Sequence, residues 1–92
     1  MRKREIDLDR KRIAKRLLAE KGIKIYIKDV FAIGVSFGYY PAPDGSKVGS
    51  KETWYVEMNN GTRYEINRET QDASGNFSTA SGRMVITDII EY

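Results

Sequence analysis

Four cations, Lys11, Arg12, Lys15 and Arg16, crowd one short stretch near the start of the chain, with Arg2, Lys3 and Arg4 ahead of them. Guanidinium and ammonium groups at this density suit phosphate or carboxylate partners. Charge is also divided along the chain. Residues 1–24 hold ten basic and four acidic side chains, net +6, and the remaining 68 hold six and nine, net −3. Such asymmetry points to a basic face with an anionic partner, or to a helix held against an acidic sheet of its own or another copy.

Other chemistry has little to build on. The chain has no histidine and no cysteine, which removes the commonest general base, the thiolate nucleophile and the usual zinc ligands. Asp7 and Asp9 are explained by capping and dipole compensation at a helix start. Asp72-Ala73-Ser74-Gly75-Asn76 imitates the opening of a calcium loop. The pattern then fails, because Phe77 stands at the glycine position and Arg83 at the bidentate glutamate position. A polar turn is the expected structure there. Gly34 and Gly38 lie in a strand pattern, where close packing is their expected role. No enzyme, metal site or cofactor is expected.

Ninety-two residues, 40% of them hydrophobic and 32% charged, fit one ordinary domain. A small domain without disulfides belongs in a reducing compartment, and the basic N-terminus is not followed by the apolar stretch of a secretory signal. No apolar run approaches the roughly 20 residues needed to span a bilayer. A cytoplasmic protein that does not engage membranes is the expectation.

The elements that must position the cations follow from periodicity. Residues 9–22 are expected to form a helix, with Asp9 as N-cap and Gly22 as left-handed stop. Residues 1–8 are left as a basic arm that can be flexible. Ile13, Ala14, Leu17 and Leu18 share one arc, while Arg12, Lys15 and Arg16 lie opposite and Lys11 at the flank. Arg10 falls inside the apolar arc, so it must snorkel or sit at a frayed end. In that position Arg10, Lys11 and Arg12 oppose the helix dipole, so helix stability does not explain them.

Residues 23–92 are expected to form the sheet, with long loops at 40–51 and 68–82. Residues 23–28 alternate apolar and polar as a strand does. From Val30 the faces become unequal, with Phe31, Ile33, Val35, Phe37 and Tyr39 on one side and small residues on the other. The bulky side suits a core, so most of its aromatics are expected to be buried. Tyr40 and Tyr55 are then the aromatics left for exposed contact.

A tight turn is expected at Ala42-Pro43-Asp44-Gly45. A three-residue hairpin loop, Asn59-Asn60-Gly61, pairs Val56 with Tyr64, Trp54 with Ile66 and Glu57 with Arg63. A two-residue loop would mix apolar and polar on one face. A short extended piece is expected near Phe77. The last strand, 83–91, has apolar residues on both faces, which points to a central or covered position. The sum is an α+β fold, an N-terminal helix packed on a four- to five-stranded, mostly antiparallel sheet in one domain.

Three functional readings follow. The first is a binder of nucleic acid or nucleoprotein through Arg2, Lys3, Arg4, Lys11, Arg12, Lys15 and Arg16, with Tyr40 and Tyr55 as further contacts. The second is a protein-binding inhibitor or adaptor. In size, charge polarity and lack of cofactor motifs the chain is similar in type to small inhibitors from phages and mobile elements, anti-CRISPR proteins among them. The third is a homo-oligomeric assembly subunit with paired sheet edges. A helix followed by a bent antiparallel sheet resembles the Sm-like ring proteins in outline, without their strand motifs.

Overall fold

The computed structural model describes residues 3–45, 48–79 and 82–92. One helix, α1 (Lys3–Glu20), precedes a short 3-10 turn (Ile27–Asp29) and four strands, β1 (Val30–Pro41), β2 (Val48–Met58), β3 (Arg63–Gln71) and β4 (Arg83–Glu91). The strands form one antiparallel sheet in the order β1-β2-β3-β4. The helix packs on one face of that sheet, as expected of an α+β domain. None of the helices is long and apolar enough to cross a membrane, among the described residues.

The helix begins earlier than the sequence suggested. Residues 3–8 are helical rather than a separate arm, and Asp9 sits mid-helix, paired with Arg12 at 3.6 Å instead of capping. Ile6, Arg10, Ile13 and Leu17 extend the inward stripe at helical spacing, which carries the helix toward the N-terminus past the aspartates. Arg10 is half-buried within that stripe, where its aliphatic stem can cover apolar surface. At the other end Gly22 is left-handed, φ 79°. Its N–H donates to the Ala19 carbonyl at 3.0 Å, and the Ile23 N–H donates to that of Leu18 at 3.0 Å. This pair of bonds is the glycine-terminated helix stop, and Ile23 then packs against the core.

Residues 23–28 do not form a strand. Ile25 is buried and Ile23 and Ile27 half-buried, so the alternation of burial is present without a ladder. The segment turns instead, the Asp29 N–H donating to Tyr26 at 3.0 Å. Asn59, at the tip of the next hairpin, donates to the Asp29 carbonyl through its backbone at 2.8 Å and to Lys28 through its side chain at 3.3 Å.

The hairpin register is the expected one: Val56 pairs with Tyr64, Trp54 with Ile66 and Glu57 with Arg63. Gly61 at φ 91° and the Met58 N–H to Thr62 bond of 2.8 Å close its three-residue loop. The expected long loops are shorter, because strand pairing continues into them. Tyr40 pairs with Gly49, and Lys51 pairs with Glu69. The turn at Ala42 closes as expected, with a Gly45 N–H to Ala42 carbonyl bond of 2.8 Å. Asp72 makes the expected polar turn, accepting from the N–H groups of Ser74 at 2.9 Å and Asn76 at 3.1 Å. Phe77 forms the isolated bridge to Gln71.

Two bulges correct the reading of faces. Phe31 is an extra residue between the pairs Val30–Met58 and Ala32–Glu57, so Val30 turns to the core and Phe31 does not. Thr87 is the extra residue in β4, between Asn67–Asp88 and Arg68–Ile86. It lets Ile86 and Ile89, three apart, share the core face. The two-faced pattern of β4 thus comes from a bulge, and β4 is an edge strand rather than a central one.

The core is small. Ala14, Leu17 and Leu18 of the helix meet Ile25, Val30, Trp54, Val56, Met58, Ile66 and Ile86. The cluster lies at one end of the sheet. Toward the other end the same face carries Glu52 and Arg68, mostly buried and ion-paired through Glu52 Oε1, which also accepts from the Trp54 indole at 2.9 Å.

Candidate functional site

Three of the helix cations, Arg12, Lys15 and Arg16, share one surface, with Lys11 at its flank. With Ala14, Leu17 and Leu18 fixed inward by the core, helical geometry turns Arg12, Lys15 and Arg16 outward. Arg12 and Arg16 are exposed, and Lys11 and Lys15 are half-exposed. Lys3 and Arg4 belong to the first turn of the same helix, and Arg2 lies outside the described residues. Among the described residues the one ion pair on this face is Arg12–Asp9, itself solvent-exposed. Lys11, Lys15 and Arg16 therefore keep their charge available. An exposed pair such as Arg12–Asp9 gains little and yields readily to a stronger anion.

The longer helix changes one electrostatic argument. Arg10, Lys11 and Arg12 lie in its middle, where the dipole no longer acts on them. They neither weaken nor stabilise the helix through that effect. Only Lys3 and Arg4 stand in the first turn, with Glu5 beside them.

The tyrosines do not join this face. Trp54 and Val56 point into the core, so Tyr55 between them points to the opposite side of the sheet, where it is 50% exposed. Tyr40 shares that opposite side and packs edge-on against Phe77, centroids 5.5 Å apart, with the Lys51 ammonium 4.7 Å from the Phe77 ring centre. The helix cations and the two tyrosines thus form two surfaces on opposite sides of the sheet.

That open side mixes charge signs. Glu57, Glu65, Glu69 and Asp88 share it with Lys51, Arg63 and Arg83, as strand parity requires. Asn67 bridges part of it, accepting from Thr53 at 2.7 Å and donating to Glu65 at 2.9 Å. A shallow groove of about 570 Å³ runs past Ala32, Gly34, Tyr55, Glu57, Arg63 and Tyr92. Small residues on β1 leave its floor flat. No group of three or more acidic side chains is arranged to hold a metal ion, among the described residues.

Pattern reading missed the exposed aromatics. Phe31 is 67%, Phe37 47% and Tyr39 69% exposed, contrary to the expectation of burial. Phe37 and Tyr39 stack at 6.1 Å on the helix-side face, beyond the buried cluster. The short apolar arc of the helix was the available signal, since it covers only part of a strand this long. One further group is perturbed. Burial, then the hydrogen bond and charge of Glu91, raise the Tyr64 hydroxyl above its ordinary pKa. The chain matches no protein family, and no curated protein or solved structure is detectably similar to it.

Proposed function

We propose that this is a non-catalytic binding protein that engages an anionic polymer, nucleic acid or a nucleoprotein, through the outer face of α1. One observation supports the reading above others. Arg12, Lys15 and Arg16, flanked by Lys11, share a solvent-facing surface whose one ion pair among the described residues is itself exposed. The open sheet face is a poorer polyanion site, because its cations alternate with carboxylates. Phosphate contacts position a protein without reading bases, so this face suits binding with little sequence preference. The test is charge reversal, Arg12→Glu, Lys15→Glu and Arg16→Glu together. The variant should lose the electrophoretic shift of a labelled duplex at low salt. An unchanged shift ends the proposal.

A second reading, a protein-binding adaptor or inhibitor, is favoured by the flat groove beside Tyr55 and Tyr92 on the open face. Tyr55→Glu should abolish co-purification of a defined protein from nuclease-treated lysate. If the wild type retains no protein in mild salt, that reading fails.

A further inference from the structure

The two edges of the sheet differ in a way that bears on assembly. Strand edges carry unpaired N–H and C=O groups, and monomeric proteins guard them with charges, prolines, bulges or cover. The β4 edge is guarded: Arg83, Asp88 and Glu91 punctuate it, and the Thr87 bulge breaks its ladder. The β1 edge is not. From Val30 to Tyr40 it holds no charged residue and no proline, its bulge lies near one end at Phe31, and Pro41 comes last. Past Val30 none of its residues is buried. No strand pairs with its outer edge, among the described residues.

From this contrast we infer that β1 is a strand-pairing surface whose occupant is β1 of a second copy, forming a continuous eight-stranded sheet across a two-fold axis. Self-pairing fits the strand's chemistry. Antiparallel partners directly opposite each other point to the same face. Centring the axis on Ser36 uses the whole regular stretch between the Phe31 bulge and Pro41. Val35 then faces Phe37 of the other copy, Ile33 faces Tyr39, Gly34 faces Gly38 and Ala32 faces Tyr40. Each exposed aromatic meets a smaller residue, and glycine meets glycine on the open side. The axis sets Ser36 beside its own duplicate, where a charge would repel itself, and from Val30 to Tyr40 β1 carries no charge.

The arrangement consumes the single unguarded edge of each copy, so it closes at two. Phe37, Tyr39 and Tyr40, 47%, 69% and 45% exposed, offer on the order of 300 Å² of aromatic surface per copy. That is less than half of what one partner gives a standard interface, about 800 Å². The pairing is therefore concentration-dependent, and the measurement must span a wide range.

Sedimentation equilibrium across roughly 1–500 µM, a span chosen for weak interfaces, reads it directly. The wild type should move from the 10.5 kDa chain mass toward twice that value. Ser36→Lys, which sets two ammonium groups together at the axis, should stay at the monomer mass throughout. Ile90→Lys, an equal charge on the other edge, should associate like the wild type. Circular dichroism and a urea midpoint check that both variants fold. Ser36→Cys keeps the edge neutral and, in a chain without cysteine, should give a covalent dimer on mild oxidation, since opposed Cα atoms in such a pair fall within disulfide range. A wild type that stays monomeric at every concentration overturns the inference. So does association that survives Ser36→Lys, or that is lost in Ile90→Lys and kept in Ser36→Lys. Failure of Ser36→Cys to cross-link in a protein of dimer mass overturns the two-fold register.

Discussion

The two faces of α1 show two kinds of constraint on one element. The inner face is accounted for by folding: Ala14, Leu17 and Leu18 are buried against Trp54, Val56 and Ile66. The outer face is not. Arg12 and Arg16 are exposed, and the one ion pair there among the described residues is between exposed side chains. Residues that a fold needs resist substitution through stability. Residues a partner needs should yield on stability and fail on binding. The two faces should therefore respond separably to substitution.

The largest effect should come from the inner face. Leu18→Ala removes a fully buried side chain and should cost about 2–5 kcal/mol in urea unfolding. A core this small has little margin, so a loss below that range would mean that the helix is not docked as described. Next, Glu52→Gln leaves the mostly buried Arg68 guanidinium and the Trp54 indole without their shared carboxylate. It should cost about 1–3 kcal/mol, and a neutral result would show that the far end of the sheet is wetter than its geometry implies. Gly22→Ala forces a side chain into left-handed backbone at φ 79°. About 1 kcal/mol should be lost, read as a shift in melting temperature. On the outer face, Arg12→Ala with Arg16→Ala should change stability by no more than about 0.5 kcal/mol while weakening duplex binding. A large loss of stability there would erase the distinction between the faces.

The smallest effect is confined to alkaline pH. The Tyr64 hydroxyl is raised by burial first and by Glu91 second, so the folded state favours its protonated form. That contribution is complete below the unfolded phenolic pKa of about 10 and is lost as pH rises through the higher folded value. Stability should fall above that point in the wild type, and Tyr64→Phe should lessen the fall. Equal pH profiles in the two proteins would contradict the assignment.

Local chemistry made much of the fold legible. Gly22 announced the helix stop, Asn60-Gly61 with its flanking alternation fixed the hairpin register, and residues 83–91 read as the last strand. What failed were features set by neighbours. Asp9 has the chemistry of a cap, but nothing in its own pattern says that the helix runs back past it through half-buried Ile6 to Lys3. Residues 23–28 alternate like a strand yet have no ladder to join. Arg68 to Gln71 look like loop because they are polar, yet Arg68 and Glu69 pair with Glu52 and Lys51, and Thr70 and Gln71 with Met84 and Arg83. Thr87 hides a bulge that makes an edge strand look doubly buried. The cations Lys11, Arg12, Lys15 and Arg16 were legible as a surface. The exposed Phe37 and Tyr39 were not, since alternation alone cannot tell a covered face from a bare one.

Salt dependence tests the reading of the outer face most directly. Duplex affinity should be measured by fluorescence anisotropy over a series of salt concentrations, for the wild type and for the triple charge reversal. Engagement of four phosphates by Lys11, Arg12, Lys15 and Arg16 predicts a log–log slope of about −3.6, collapsing in the reversed variant. A wild-type slope near zero, or the same slope in both proteins, would contradict it.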